Sequence, residues 1–166
     1  MTGYPLEPLA HIRQLREEAA ATECSAREKA LLTARQETLA RRKALENYLA
    51  WRVQEEDRRY QDILDKELPF KELEDFKAGV AALRDRDNVL LAALEEARVL
   101  EKEAEERRDA AVETLKRARK DKEKINESEK IWQDRETREA ERREDLEMEE
   151  FTDAKSQEMM EENSYD

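Results

Sequence analysis

Turn-forming residues are nearly missing from this chain: of 166 residues, two are Gly and three are Pro. Folds assembled from many short elements need Gly, Pro, Asn and Asp clusters to reverse the backbone, so a sandwich, a barrel or a βαβ fold is excluded. Cysteine is limited to Cys24, which excludes an internal disulfide and fits a reducing compartment. Histidine is limited to His11, placed near a helix start with no Ser or Cys nucleophile to activate. One Cys and one His cannot build a zinc site. With Gly3 and Gly79 alone, no glycine loop can cradle a phosphate. The acidic pairs Glu17–Glu18, Glu95–Glu96 and Glu105–Glu106 are adjacent on a solvated helix among basic neighbours, and read as surface rather than as a cation site. No catalytic residue, metal or cofactor is therefore expected, and the chain does not read as an enzyme. It also lacks an apolar run long enough for a membrane span and the charged start and apolar centre of a signal peptide, so a cytoplasmic protein without membrane insertion is expected.

What the chain has is charge. Asp, Glu, Lys and Arg make up 46% of it, with a net charge of −12. Such a composition with a 3.5-residue apolar period belongs to long helices and coiled coils. The negative charge is concentrated: from Glu144 to Asp166 there are ten acidic residues and one base, Lys155. That tail repels phosphate backbones, so nucleic acid is not an expected partner. Residues 151–166 read as an acidic, disordered segment, a frayed and solubilising end; with Met148, Phe151, Met159 and Met160 scattered among the acids, a docking peptide for a basic partner is the competing reading.

A 4-3 heptad stripe runs unbroken from Phe76 to Trp132, through Val80, Leu83, Asp87, Leu90, Leu94, Ala97, Glu101, Ala104, Arg108, Ala111, Leu115, Ala118, Lys122, Ile125 and Glu129. Extended to Glu136, it has 18 positions of which 12 are apolar, well above the 38% of the whole chain, so chance does not explain it. Its polar members set register, leave room for a partner helix, or are half exposed in a two-helix pair. Reflected about residue 68, beside Pro69, the stripe meets apolar residues of the first half: Tyr60 opposite Phe76, Val53 opposite Leu83, Leu39 opposite Ala97. Farther out it meets Ala26, Ala19 and Ile12, the helix-one stripe shifting near Leu31–Leu32 from a Leu9/Ile12/Ala19/Ala26/Ala30 face to a Leu32/Leu39/Val53/Tyr60 face, while Tyr4, Leu6 and Leu9 fall opposite Ile125, Ile131 and Trp132 as a clamp on the termini. The fold expected is all-α, two long helices forming an antiparallel coiled-coil hairpin with helix two the longer. Residues 1–150 form one hairpin: helix one over 8–65, a turn over 66–70, and helix two over 71–150. Pro8 suits the first turn of helix one, and Pro69 disfavours helical geometry at Leu68. At about 1.5 Å per residue, helix one would be roughly 85 Å long.

One segment offers more apolar surface than a single seam buries. Leu45, Tyr48, Trp51 and Arg52 form their own line beside a Leu49–Val53 face. The reflection places them against residues 83–91, where Val89 and Leu91 lie off the stripe. Tyr, Trp and Arg anchor interfaces most often, so this level is a candidate partner surface; a locally broader core or contact with a second copy is the competing reading.

The opening Tyr4-Pro5-Leu6-Glu7-Pro8-Leu9, followed by Ile12-Arg13 and a charged antiparallel hairpin, resembles the YscO family of type III secretion, which is in turn similar to the flagellar export protein FliJ. The resemblance implies a cytoplasmic protein peripheral to the inner-membrane base of the secretion apparatus. It implies a stalk-like, non-enzymatic coiled coil that associates with the hexameric secretion ATPase, contacts the cytoplasmic side of the export gate and binds secretion chaperones. Carried onto this sequence, the family's partner face falls on Phe76, Val80, Leu83 and Asp87, and on Arg42, Glu46, Leu49 and Val53. Arg42 and Glu46 are more charged than the family pattern. Two rival expectations are a coiled-coil spacer without an export role and a clamp that holds substrate chains through Tyr4, Leu6 and Trp132.

Overall fold

Helix formation here follows from what does not interrupt it. Between Pro8 and Pro69 there is no Gly or Pro, and after Gly79 there is neither. Both stretches are rich in Ala, Leu, Glu, Lys, Arg and Gln, the strongest helix formers. The computed structural model describes residues 3–164, and among these the only regular elements are two helices, α1 (Glu7–Ile63) and α2 (Phe70–Glu162). Helix two is the longer, as expected. It continues twelve residues past the end expected at 150, into the segment read as a disordered tail. Acidic composition alone does not stop a helix; a breaker does, and residues 151–162 contain none.

The intervening turn is short. Leu64 donates its amide to the Tyr60 carbonyl at 3.0 Å, and Lys66 donates to Ile63 at 3.2 Å. Asp65 between them takes a φ of 62°, the left-handed conformation common just past a helix end. Pro69 then supplies the carbonyl that accepts from Leu73 at 3.1 Å, opening α2.

The chain groups into two compact units, Ala20–Leu115 and Met1–Ala19 with Lys116–Asp166. In the first, α1 and α2 run antiparallel. Tyr60 and Phe76 meet edge to face with centroids 5.1 Å apart, and the Thr38 hydroxyl lies 3.3 Å from the Ala97 carbonyl. Leu31 and Leu94 are its best-covered side chains, each 3% exposed. In the second unit the pairing is also antiparallel. The Tyr4 hydroxyl donates to Ser128 Oγ at 2.9 Å, its ring lies 5.6 Å from that of Trp132, and Arg13 donates to the Asp121 carbonyl at 2.7 Å. Ile125, 3% exposed, is the centre of that contact.

Every position of the α2 stripe from Phe76 to Trp132 is buried or half-buried. Glu136 is exposed, so the covered stripe stops at Trp132. The α1 face differs from expectation. Ile12, Leu32, Leu39 and Val53 are about half exposed, and Ala19, Ala26 and Ala30 also face solvent. Most of its covered residues, Arg13, Glu17, Ala20, Cys24, Arg27, Leu31, Ala34, Thr38, Leu45, Tyr48, Arg52, Glu55 and Arg59, again keep heptad spacing, with Glu56 buried beside them. Much of α1 is rotated by one residue, about 100°, from the apolar reflection. The reason is chemical: two polar members of the α2 stripe find partners on this face, Asp87 with Arg52 at 2.9 Å and Lys122 with Glu17 at 2.7 Å, while Glu101 approaches the exposed Arg35 at 3.9 Å.

Candidate functional site

The residues singled out around positions 45–53 and 76–91 all belong to the unit Ala20–Leu115. The structure divides them between seam and flank. Leu45, Tyr48, Arg52, Phe76, Val80, Leu83 and Asp87 are covered, with Val80 only 6% exposed. Leu49 is half-buried, while Trp51 at 48% and Leu91 at 47% stand out in solvent. Val53 and Val89, each more than half exposed, extend the same apolar character along both helices.

At the same axial level the two helices are joined by a polar interlock. The Tyr48 hydroxyl donates to the Leu83 carbonyl at 2.7 Å, and its ring sits 5.6 Å from Trp51 at a 40° tilt. Arg52 spreads its guanidinium between Asp87 across the seam, at 2.9 Å, and Glu56 one turn along its own helix, at 2.9 Å. Glu56 also accepts from Arg84 at 3.1 Å. One α1 carboxylate is thus held by cations from both helices, and Arg52 in turn holds carboxylates from both. One turn farther, Glu55 accepts from Arg58 at 2.7 Å and from Arg59 at 3.0 Å. The head of Arg59 crosses α2 at Gly79, where an added Cβ would come within 3.0 Å of Nη1.

The electrostatics agree with the geometry. Hydrogen bonds from Arg58 and then Arg59 pull the Glu55 carboxyl from 4.5 down to about 2. Arg84, then Arg52, lower that of Glu56. The bond to Glu56 is the main cause that raises Arg52, and likewise Arg84. Glu55, Glu56, Arg52 and Arg84 are each shifted toward the charged form by these bonds. The arrangement cross-ties the two helices at the level where Trp51, Val53, Val89 and Leu91 stay exposed, and such a level is suited to contact rather than to proton transfer. Sequence reasoning missed Glu56 and Arg84, although the i, i+4 spacing of Arg52 and Glu56 signals their pairing.

Among the described residues, no group of three or more His, Cys, Asp and Glu side chains is placed to hold a metal ion. No helix among them is long and apolar enough to cross a membrane.

Comparison with known proteins bears on what such a surface is for. The profile of the family described as type III secretion protein YscO matches residues 6–154. The fold is similar to the crystal structure of type III secretion protein YscO from Vibrio parahaemolyticus, with a TM-score of 0.79 and 25% identity over 88% of this chain and 92% of that one. It is similar as a fold to a YscO homologue from Chlamydia trachomatis, with a TM-score of 0.77 and 20% identity over 95% of this chain and 96% of that one. No curated protein sequence matches the chain.

Proposed function

The chain belongs to the YscO family of type III secretion proteins, and on that premise we propose that it acts as a stalk-like coupling element of the export apparatus. It works by contact rather than by catalysis, associating with the hexameric secretion ATPase and with the cytoplasmic side of the export gate, and receiving secretion chaperones. Its place is cytoplasmic, at the inner-membrane base of the apparatus.

The observation that carries this reading is that four large apolar side chains stay exposed at the axial level of the Arg52–Asp87–Glu56–Arg84 interlock, Trp51 and Val53 on different sides of α1 and Val89 and Leu91 on different sides of α2. Large exposed apolar side chains on a braced surface favour partner contact, and Trp is among the residues that dominate such contacts. The clamp reading is less favoured, because Tyr4 is buried against Trp132 and Ser128 and so is already engaged within its own unit.

The test is ATP hydrolysis by the cognate secretion ATPase with and without this protein, alongside a Trp51→Ala/Leu91→Ala variant. Both residues are about half exposed and neither supplies a hydrogen bond or ion pair of the interlock. The expected outcome is stimulation or enhanced ATPase assembly that the variant loses by about tenfold in apparent affinity, a change of roughly 1.4 kcal/mol. Stimulation unchanged in the variant would keep the coupling role and remove this surface from it. Absence of any binding or effect would overturn the coupling role.

A further inference from the structure

The second candidate surface lies on α2 beyond its paired stretch. Trp132 is the last half-buried residue; from Gln133 to Ser164 every residue is exposed. Such a single helix has no seam to keep apolar side chains for, yet Met148, Phe151 and Met159 are 70%, 71% and 55% exposed. With Thr152 and Lys155 they stand three and four residues apart, which aligns them on one helical face. Glu149, Glu150, Asp153 and Glu161 fall on its flanks and back, where Leu146 and Met160 also stand, and Glu144 and Glu162 close its two ends. From Glu144 to Ser164 there are nine carboxylates against Lys155 alone. Among the described residues, none of those carboxylates is held in an ion pair, the last ion pair along α2 being Arg143 with Glu139.

We propose that this stretch of α2 is a docking helix for a protein groove that is apolar along its floor and lined by Lys and Arg at its rim. Charge complementarity selects that occupant. A second copy would bring the same dense negative charge against the first, and an anionic lipid surface or a phosphate backbone would be repelled in the same way. The helix α1 does not cover the face, since Tyr4, just before α1 begins, already lies beside Trp132. The mode is an amphipathic helix laid into a groove, with Met side chains that adapt to its walls and Phe151 as the anchor. The groove belongs to one of the partners proposed above, so this inference rests on that reading.

The test uses the full chain and three probes one at a time: the cognate secretion ATPase, the cytoplasmic domain of the export gate, and a secretion chaperone. Two variants are compared with wild type, Met148→Gln/Phe151→Gln/Met159→Gln, which keeps helix propensity, and Glu149→Lys/Glu150→Lys/Asp153→Lys/Glu161→Lys. Circular dichroism confirms that both retain the helix. Expected are a loss of about tenfold or more in affinity for one probe in each variant and weakening of wild-type binding as salt rises. A photo-crosslinker at position 151 should mark a Lys/Arg-rimmed groove on that probe. Binding of all three probes unchanged in either variant would overturn the docking helix and leave the coupling role standing. A crosslink to a second copy, or to a surface without basic residues, would also overturn it. Failure of wild type to bind any probe would overturn both.

Discussion

The two helices meet along one seam in each unit, yet they bring different materials to it. Helix α2 contributes a stripe in which Val80, Leu94, Ala97, Ala111, Leu115 and Ile125 are all under 10% exposed. Helix α1 contributes a face where Leu31, Cys24 and Ala20 alternate with Arg13, Glu17, Arg27, Arg52 and Glu55, while several of its large apolar residues stay outside. One helix therefore defines the seam by burial, and the other is oriented largely by polar bonds to it. Burial supplies the driving force and is indifferent to direction. Hydrogen bonds such as Tyr48 to Leu83 and ion pairs such as Arg52 to Asp87 are geometrically particular, and they select which rotation of α1 is the native one.

This contrast is sharpest at adjacent residues of α1. Leu31→Ala should cost about 2–4 kcal/mol, because it empties a site that is 3% exposed. Leu32→Ala, at a site 58% exposed, should stay within about 0.5 kcal/mol. Equal losses in chemical denaturation would mean that α1 faces α2 through the apolar residues named by the reflection. A smaller effect is expected at Thr38, buried with its hydroxyl bonded at 3.1 Å to the Ala34 carbonyl and at 3.3 Å to that of Ala97. Thr38→Val keeps the shape and removes that donor, for a loss of about 1 kcal/mol. A gain in stability instead would show that the hydroxyl does not orient this level.

The smallest effect concerns acid, since Arg58 is 60% exposed and solvent screens its pair. The Glu55 carboxyl is depressed from 4.5 to about 2, and that of Glu56 is lowered as well. Their contribution is present above pH 4.5 and is lost as pH falls toward about 2. Wild type should therefore melt a few degrees above a Glu55→Gln/Glu56→Gln variant near neutrality, and the two should converge across that acidic window. A gap that persists to the bottom of the window would remove ionisation as its cause.

Several features were legible in the residues alone. The scarcity of Gly and Pro required long helices, Pro69 located the reversal, and the stripe from Phe76 to Trp132 is the covered face of α2. Reflection about residue 68 also brought positions 45–53 to the level of 83–91, where the interlock lies. It did not reveal that Tyr48 and Arg52 turn inward while Val53 turns out, or that α2 stays helical through Met159 and Met160. Acidic composition does not by itself end a helix, and residues 151–162 hold no Gly or Pro to interrupt one.

The sequence by itself determined that this chain forms two antiparallel helices and which face of α2 is covered, because a period of 3.5 in apolar residues can be satisfied only by burying that face. Only the tertiary structure decided which face of α1 meets it. That helix carries apolar residues on several sides, and a one-residue change turns it by about 100°. The choice among faces rests on bonds that exist only once Asp87, Leu83, Arg84, Ala97 and Lys122 are brought alongside it.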